Sequence, residues 1–384
     1  MVSEMQVYIH IPFCRAKCKY CAFNSIVAQN GLIDEYVEAL CNEIESSSQN
    51  QAVNTVYFGG GTPSILTISQ LSKIFDTLHK HYDLSHCREF TIEANPGTVN
   101  KDYLSDLRKL GINRLSLGVQ SFDDKLLHIL GRIHNSEEAI ETVKTAVSIF
   151  DNVSIDLMYD LPEQTIEILQ NTLTTAMILN VQHISIYGLE VEEETEFGRL
   201  HSLGRLNVPN DEESEKMYEM ITKELPQHGF QRYEISNFTV EGFESRHNLG
   251  YWSDVEYLGF GAGAHSYIQM SSESSFGVRL SNILDIREYI DGIKSGLNIK
   301  EIEEILTQKT AMEEFCFLAL RKAEGIDLKR FKAKFGLDIY FIYAEVIDKL
   351  KRKGLIEVSD SHIKLNERGT KYGNYAFSEF LIDP

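Results

Sequence analysis

Six times in the first 230 residues a short apolar run is followed by a segment of amphipathic spacing, and this alternation restricts the fold more than any other feature. Val7–Ile11 precedes Asp34–Glu45, where Tyr36, Val37, Leu40, Cys41 and Ile44 recur on one side. Thr55–Phe58 precedes Ser69–His81, and Phe90–Glu93 precedes Lys101–Leu110. Arg114–Val119 precedes Ser136–Phe150, Val153–Leu157 precedes Glu167–Leu179, and His183–Gly188 precedes Glu212–His228. Strands and helices in strict alternation imply parallel strands joined by right-handed crossovers. Eight such units close a barrel, so six predict an α/β fold, an incomplete (βα)6 TIM-like barrel open at one side.

The rhythm breaks after Gly229. Phe230–Phe238 and Tyr257–Ile268 read as strands around a polar, glycine-containing stretch with the single tryptophan. From Leu297 the chain is expected to turn helical, with Thr310–Ala323, Leu328–Phe335 and Tyr340–Lys353 followed by Leu355–Val358 and Ile363–Leu365. Three helices and a hairpin suggest a small winged-helix-like domain. The expected division is therefore 1–229 for the barrel, 230–296 for a β extension and linker, and 297–384 for the helical domain. With 384 residues and 43% apolar content the chain has ample material for such cores. Its formal net charge of −20 argues against a nucleic-acid partner. No apolar run is long enough for a membrane span, and Met1–His10 lacks the pattern of a signal peptide, so a cytoplasmic location is expected.

Cys14, Cys18 and Cys21 lie just past the first predicted strand, at the strand end where barrels carry their chemistry. They are either core residues or metal ligands, and the interleaved Arg15, Lys17 and Lys19 make this a poor core segment. Structural zinc needs a fourth ligand, and none stands at suitable spacing downstream. A cubane iron–sulfur cluster can be held by three thiolates, which leaves one iron with an open position. Cys41, Cys87 and Cys316 are scattered and read as packing residues.

Other candidates cluster at predicted strand ends. Gly59-Gly60-Gly61-Thr62-Pro63 permits close backbone approach by a ligand, or is a plain tight turn. Glu93 ends the third strand, where its carboxylate can accept hydrogen bonds from a ligand or cap a helix. Gln120, Arg132 and Asp156 sit at or between the fourth and fifth strand ends, as ligand contacts or structural ion-pair partners. His247-Asn248-Leu249-Gly250-Tyr251-Trp252 combines an imidazole with two aromatic rings, suited to haem or to anchoring a loop over the open end of the barrel. Gly259–Ala264 superficially suggests a dinucleotide fingerprint, but no βαβ pattern surrounds it. His79, His81, His86 and Cys87 have irregular spacing and read as solvated side chains, not a zinc site.

From about Tyr8 to the C-terminus these motifs resemble the radical S-adenosylmethionine superfamily, in its coproporphyrinogen-dehydrogenase-like branch. The resemblance implies a 4Fe-4S cluster on Cys14, Cys18 and Cys21, with the amino and carboxylate groups of S-adenosylmethionine on the open iron. It implies cofactor contacts from Tyr8, Tyr20, Gly60, Gly61, Thr62, Glu93, Gln120, Arg132 and Asp156. Two subfamilies of the branch compete. Oxygen-independent coproporphyrinogen III oxidases carry a fourth cysteine two positions after the third, where this chain has Phe23, and a long segment before the cluster, where it has thirteen residues. The HNxxYW pattern at His247, Asn248, Tyr251 and Trp252 is associated with haem chaperones of the branch and implies haem contact there. The expectation is a haem chaperone that transfers haem to an acceptor protein and takes an electron donor for its cluster. The alternative is the oxidase, decarboxylating coproporphyrinogen III to protoporphyrinogen IX.

Overall fold

The computed structural model describes residues 5–29, 31–47, 51–269 and 275–381. Strand β1 (Met5–Ile11) leads into a short parallel pair, β2 (Phe13–Cys14) with β3 (Ile26–Val27), which brackets the thiol loop. Then come α1 (Leu32–Ser46), β4 (Val53–Gly60), α2 (Ile68–His81), β5 (Glu89–Ala94), α3 (Lys101–Leu110) and β6 (Arg114–Gln120). Helices α4 (Asp124–Leu130) and α5 (Ser136–Val147) precede β7 (Val153–Tyr159), and α6 (Ile166–Ile178) precedes β8 (His183–Gly188). Helices α7 (Glu196–Ser202) and α8 (Asp211–Gln227) complete the repeat. Strands β1, β4, β5, β6, β7 and β8 pair in that order, all parallel. This is the six-unit partial barrel that the alternation predicts.

Period-two alternation gives each barrel strand two unlike faces. Val7, Ile9, Val56, Phe58, Ile92, Leu115, Leu117, Ile155 and Ile184 are buried in one apolar core with Leu40, Ile44, Leu71, Leu104 and Leu173 of the helices. Each such side chain contributes about 1.5–3 kcal/mol on burial, so this outer layer holds the barrel together. The residues between them point into the bore and are largely polar: Gln6, Tyr8 and His10; Thr55 and Tyr57; Glu89, Thr91 and Glu93; Arg114 and Ser116; Ser154 and Asp156; His183 and Ser185. Closed barrels usually fill this space with branched apolar layers; here it is left for hydrogen-bonding groups.

Both sheet edges are extended. Strand β10 (Asn237–Thr239) adds antiparallel to β8, and β9 (Gln231–Arg232) antiparallel to β10. Helix α9 (Arg246–Trp252) follows, and β11 (Glu256–Phe260) returns to the far edge beside β1. Strands β12 (His265–Ile268), β13 (Val278–Asn282) and β14 (Lys300–Ile305) continue antiparallel, with α10 (Ile286–Lys294) before the last. The sheet thus has twelve strands among the described residues.

This extension differs from expectation in four places, the first being Phe230–Phe238, which holds two short strands, β9 and β10, paired antiparallel with each other. The polar stretch around the tryptophan is a helix, because Ser245 caps it by accepting from Asn248 N at 3.3 Å and Glu89 receives its first amides. Tyr257–Ile268 is two strands, since Gly261 (φ 104°) and Gly263 (φ 73°) turn the chain within it. Nor does the chain become helical at 297: Lys300–Ile305 is an edge strand on β13, which carries the extension past residue 296. Buried Glu43 of α1 fastens this region. It accepts hydrogen bonds from Gly261 N (2.8 Å), Asn282 Nδ2 (2.8 Å) and the Tyr289 hydroxyl (2.7 Å), and burial pushes its carboxyl up.

The remaining chain forms α11 (Gln308–Leu320), β15 (Ile326–Asp327), α12 (Leu328–Phe335), α13 (Tyr340–Arg352), β16 (Ile356–Val358), β17 (His362–Leu365), α14 (Glu367–Lys371) and α15 (Gly373–Ser378). Its own core includes Phe315, Phe331, Phe335, Tyr343 and Phe380. Three helices with a small antiparallel sheet follow the expected winged-helix-like pattern.

Candidate cofactor site

The thiol loop leaves the carboxyl end of β1 and is tied to its surroundings at every quarter. Lys19 N donates to Leu130 O (3.1 Å), and Phe197 N donates to Lys19 O (3.0 Å). Arg15 Nη1 donates to Gly97 O (2.7 Å) and Lys17 Nζ to Ser25 O (3.2 Å). Asn24 Nδ2 reaches the carbonyls of Ala262 and Leu284, while Asn24 O lies 2.9 Å from His10 Nε2. The three thiols are free and partly exposed. Burial pushes the Cys21 thiol up, and the neighbouring Cys18 and Cys14 add to the effect.

The glycine turn following β4 packs against this loop. Gly61 N donates to Ile11 O (2.9 Å) and Thr62 N to Phe13 O (2.8 Å). A Cβ on Gly61 would stand 2.7 Å from Phe13 O, and one on Gly60 (φ 108°) 2.6 Å from His10 Cε1, so only glycine fits at either position. Thr62 Oγ1 donates toward Cys14 Sγ (3.5 Å) and accepts from Asn95 Nδ2 (2.9 Å).

Arg132 approaches from the other side. Its Nη1 donates to Cys18 Sγ (3.3 Å), and its Nη2 is held by Asn95 Oδ1 and Gly118 O. Its Nε is buried with no hydrogen-bond partner among the described residues, an unsatisfied donor beside the thiols. Burial pushes the Tyr20 phenol up, although Arg132 beside it pulls the other way.

Below the turn, Tyr8, Tyr57 and Glu93 converge on Gly59, where a Cβ would meet all three between 2.9 and 3.2 Å. The Tyr57 hydroxyl donates to Glu93 Oε1 (2.7 Å). Burial pushes the Glu93 carboxyl up to about 7, with the Tyr57 and Gly60 donors opposing it and Asp156 adding to it. Asp156 accepts from Ser116 Oγ (3.2 Å), and burial raises it too. Gln120, at φ 68°, takes a backbone conformation uncommon for non-glycine residues, and its Oε1 accepts from the Tyr187 hydroxyl at 3.4 Å.

The structure thus brings Cys14, Cys18, Cys21, Tyr20, Gly60, Gly61, Thr62 and Arg132 to one mouth of the barrel, with Tyr8, Glu93, Gln120 and Asp156 lining the bore beneath. A three-thiol donor set with two backbone-tight glycines and an orphaned arginine donor fits a cubane cluster and a polar cofactor.

His247, Asn248, Tyr251 and Trp252 are elsewhere. Helix α9 enters at the amino ends of the strands, opposite the thiols, and does not hang over the carboxyl mouth. His247 is 1% exposed. Its Nδ1 lies 2.8 Å from Thr55 Oγ1 and its Nε2 3.0 Å from the Tyr251 hydroxyl. Burial lowers its imidazole to about 3, helped by Arg114, so it is neutral. Trp252 faces the C-terminal unit, with Arg321 Cζ 4.4 Å from its ring centre.

Reading the sequence by motif misses Tyr57, His10, Thr55, Asn95 and Arg114. For His10, Thr55, Tyr57 and Arg114 the signal is a hydrogen-bonding residue at alternate positions of otherwise largely apolar strands, and Asn95 continues the Glu89, Thr91, Glu93 alternation one step past β5.

A partial parallel barrel with three clustered thiols and a glycine turn at its carboxyl mouth defines a protein of the radical S-adenosylmethionine class. Accordingly, residues 8–176 match the Radical SAM superfamily and residues 306–370 the HemN C-terminal domain. The coproporphyrinogen III oxidase (HemN) from Escherichia coli has the same fold, with a TM-score of 0.85 at 23% identity over 99% of this chain and 90% of that one. The chain is 41% identical to the heme chaperone HemW of Bacillus subtilis over 97% of its own length and 98% of the relative's. It is 36% identical to that of Lactococcus lactis over 98% and 97%. The chain belongs to the HemW family of radical SAM proteins. Among the described residues no helix is long and apolar enough to cross a membrane.

Proposed function

We propose that this protein is a haem chaperone that binds haem, a 4Fe-4S cluster and S-adenosylmethionine and passes haem to an acceptor protein in the cytoplasm. The observation that carries the reading is the likeness to HemW relatives along nearly the whole chain. Cys14, Cys18 and Cys21 would hold the cluster, and Tyr8, Tyr20, Gly60, Gly61, Thr62, Glu93, Gln120, Arg132 and Asp156 would surround S-adenosylmethionine. When bound, a cubane on three thiolates supplies an open iron corner and a one-electron store. Arg132 lends a positive charge and a donor to Cys18. Thr62 orients Cys14, and Glu93 offers an acceptor for the hydroxyl or ammonium groups of the cofactor. The exposed Arg15 and Lys17 suit the approach of an acidic electron donor. Haem is assigned to the end of the barrel floored by α9, where Asn248 and Trp252 are partly exposed.

The test is protein prepared and reconstituted without air. Expected are iron and sulfide in cluster stoichiometry, bound haem, and transfer of that haem to an apo-haemoprotein. Steady decarboxylation of coproporphyrinogen III in the presence of reductant and S-adenosylmethionine would overturn the reading in favour of the oxidase.

A further inference from the structure

Helix α9 is fixed in the barrel from several strands at once. Glu89, the first residue of β5, accepts from Arg246 N (2.8 Å) and His247 N (3.1 Å). Gln6 of β1 donates from Nε2 to the carbonyls of Arg246 (3.2 Å) and His247 (3.0 Å). Gly250 lies so close to Gln6 that a Cβ would stand 1.9 Å from Gln6 Nε2. The His247 imidazole is then pinned between Thr55 of β4 and Tyr251, so both ring nitrogens are occupied. An iron ligand needs one of them free.

The face of that imidazole has a different neighbour. It stacks on the Tyr57 ring, with centroids 5.0 Å apart and planes 24° from parallel. Tyr8 lies on the same phenol, with centroids 6.2 Å apart and planes also at 24°. The Tyr57 hydroxyl in turn donates to Glu93 at 2.7 Å. A continuous stack therefore runs from the HNxxYW helix to the carboxylate under the glycine turn.

We propose that His247 is a positioning residue of the S-adenosylmethionine site, holding the Tyr57 ring so that its hydroxyl stays on Glu93, and that it is not an axial ligand of haem. This deepens the assignment of S-adenosylmethionine to Glu93 and rests on it. The hydrogen bonds of His247 to Thr55 and Tyr251 set the plane of the imidazole, and that plane sets the tilt of Tyr57. A Glu93 that loses the Tyr57 donor is free to turn from the cofactor.

The experiment uses the full-length chain, reconstituted anaerobically, with two readouts: S-adenosylmethionine affinity by equilibrium dialysis, and the absorption spectrum of bound haem. His247→Ala is expected to weaken S-adenosylmethionine about five- to tenfold, the loss from one misplaced hydrogen bond. Tyr57→Phe, which keeps the ring and the packing, is expected to do the same, and the double variant no worse than either. His247→Phe keeps a flat ring but loses the hydrogen bonds to Thr55 and Tyr251, and is expected to weaken S-adenosylmethionine less than His247→Ala does. In all three single variants the position of the Soret band is expected to be unchanged. The proposal is overturned if His247→Ala binds S-adenosylmethionine like the parent, or if its Soret band moves as a lost axial ligand requires. Should His247→Ala fail to fold, Tyr57→Phe with unaltered S-adenosylmethionine affinity overturns it equally. If the parent itself binds no haem, the chaperone reading fails, and the dialysis arm still decides the role of His247.

Discussion

The guanidinium carbon of Arg321 lies 4.4 Å from the ring centre of Trp252, joining the last residue of α9 to the C-terminal unit. The same carbon also lies 5.8 Å from the ring centre of Phe377. Such a contact contributes about 0.5–2 kcal/mol, more when desolvated. Replacing Arg321 by Ala should therefore lower stability by about 1 kcal/mol or more. Trp252 is the only tryptophan, so its emission reports this junction directly. Thermal unfolding followed by fluorescence should show the tryptophan transition moving down in Arg321→Ala, and an unchanged midpoint would discount the contact.

The Glu93 carboxyl, raised by burial to about 7, makes cofactor binding pH-dependent. Below that value the group is protonated; its carbonyl oxygen still accepts, but the negative charge that draws an ammonium group is gone. Affinity for S-adenosylmethionine should fall as pH drops through about 7, by up to about tenfold per unit, and level off above it. Glu93→Gln should bind more weakly with a flat profile. Equilibrium dialysis between pH 6 and 8.5 separates the two.

Acid should attack the barrel through His247. Its folded value of about 3 lies below the unfolded value of about 6.5, so the unfolded chain takes up a proton that the native state refuses. The stability it supports is complete above about pH 6.5 and is lost as pH falls toward 3, at about 1.4 kcal/mol per unit. Between pH 6.5 and 5 this one group should remove about 2 kcal/mol. Urea unfolding of the parent and of His247→Gln across that range should differ in slope by one proton, and parallel curves would contradict the assignment.

Arg132 donates to Cys18 Sγ at 3.3 Å. A positive donor at a cluster sulfur favours the more negative, reduced form and raises the potential. In Arg132→Met the midpoint potential, followed by electron paramagnetic resonance in a redox titration, should become more negative, with iron content retained. Cys14→Ala, Cys18→Ala and Cys21→Ala should each lose the cluster itself, seen as a collapse of bound iron and sulfide.

Glu43 accepts from three donors contributed by the edge extension, with Lys300 Nζ at 3.6 Å. Glu43→Ala strands them in a buried setting, at about 1–3 kcal/mol for each unsatisfied group. Thermal unfolding should register a large loss, partly recovered in Glu43→Gln, which keeps an acceptor oxygen.

The barrel was legible in the sequence because its strands and helices share an apolar outer layer, and runs such as Val7, Ile9 and Ile11 announce themselves. The thiol loop and glycine turn were legible because their residues are contiguous. The bore was not. Tyr8, Tyr57 and Glu93 come from three different strands and meet only after the sheet curls. Helix α9 was hidden because Asn248 and Gly250 are poor helix formers, and because the carboxylate that anchors it, Glu89, is 157 residues from Arg246. Strand β14 was hidden by its composition, since Lys-Glu-Ile-Glu-Glu-Ile lacks the alternation of a half-buried strand and pairs along one edge only.

The division between a greasy jacket and a hydrophilic bore has an evolutionary corollary. Mutations that retune what sits inside the tube alter few of the contacts that keep it upright, so the cargo can be exchanged while the container persists. That independence gives a physical reason why a porphyrinogen-processing enzyme and a haem carrier can share one scaffold.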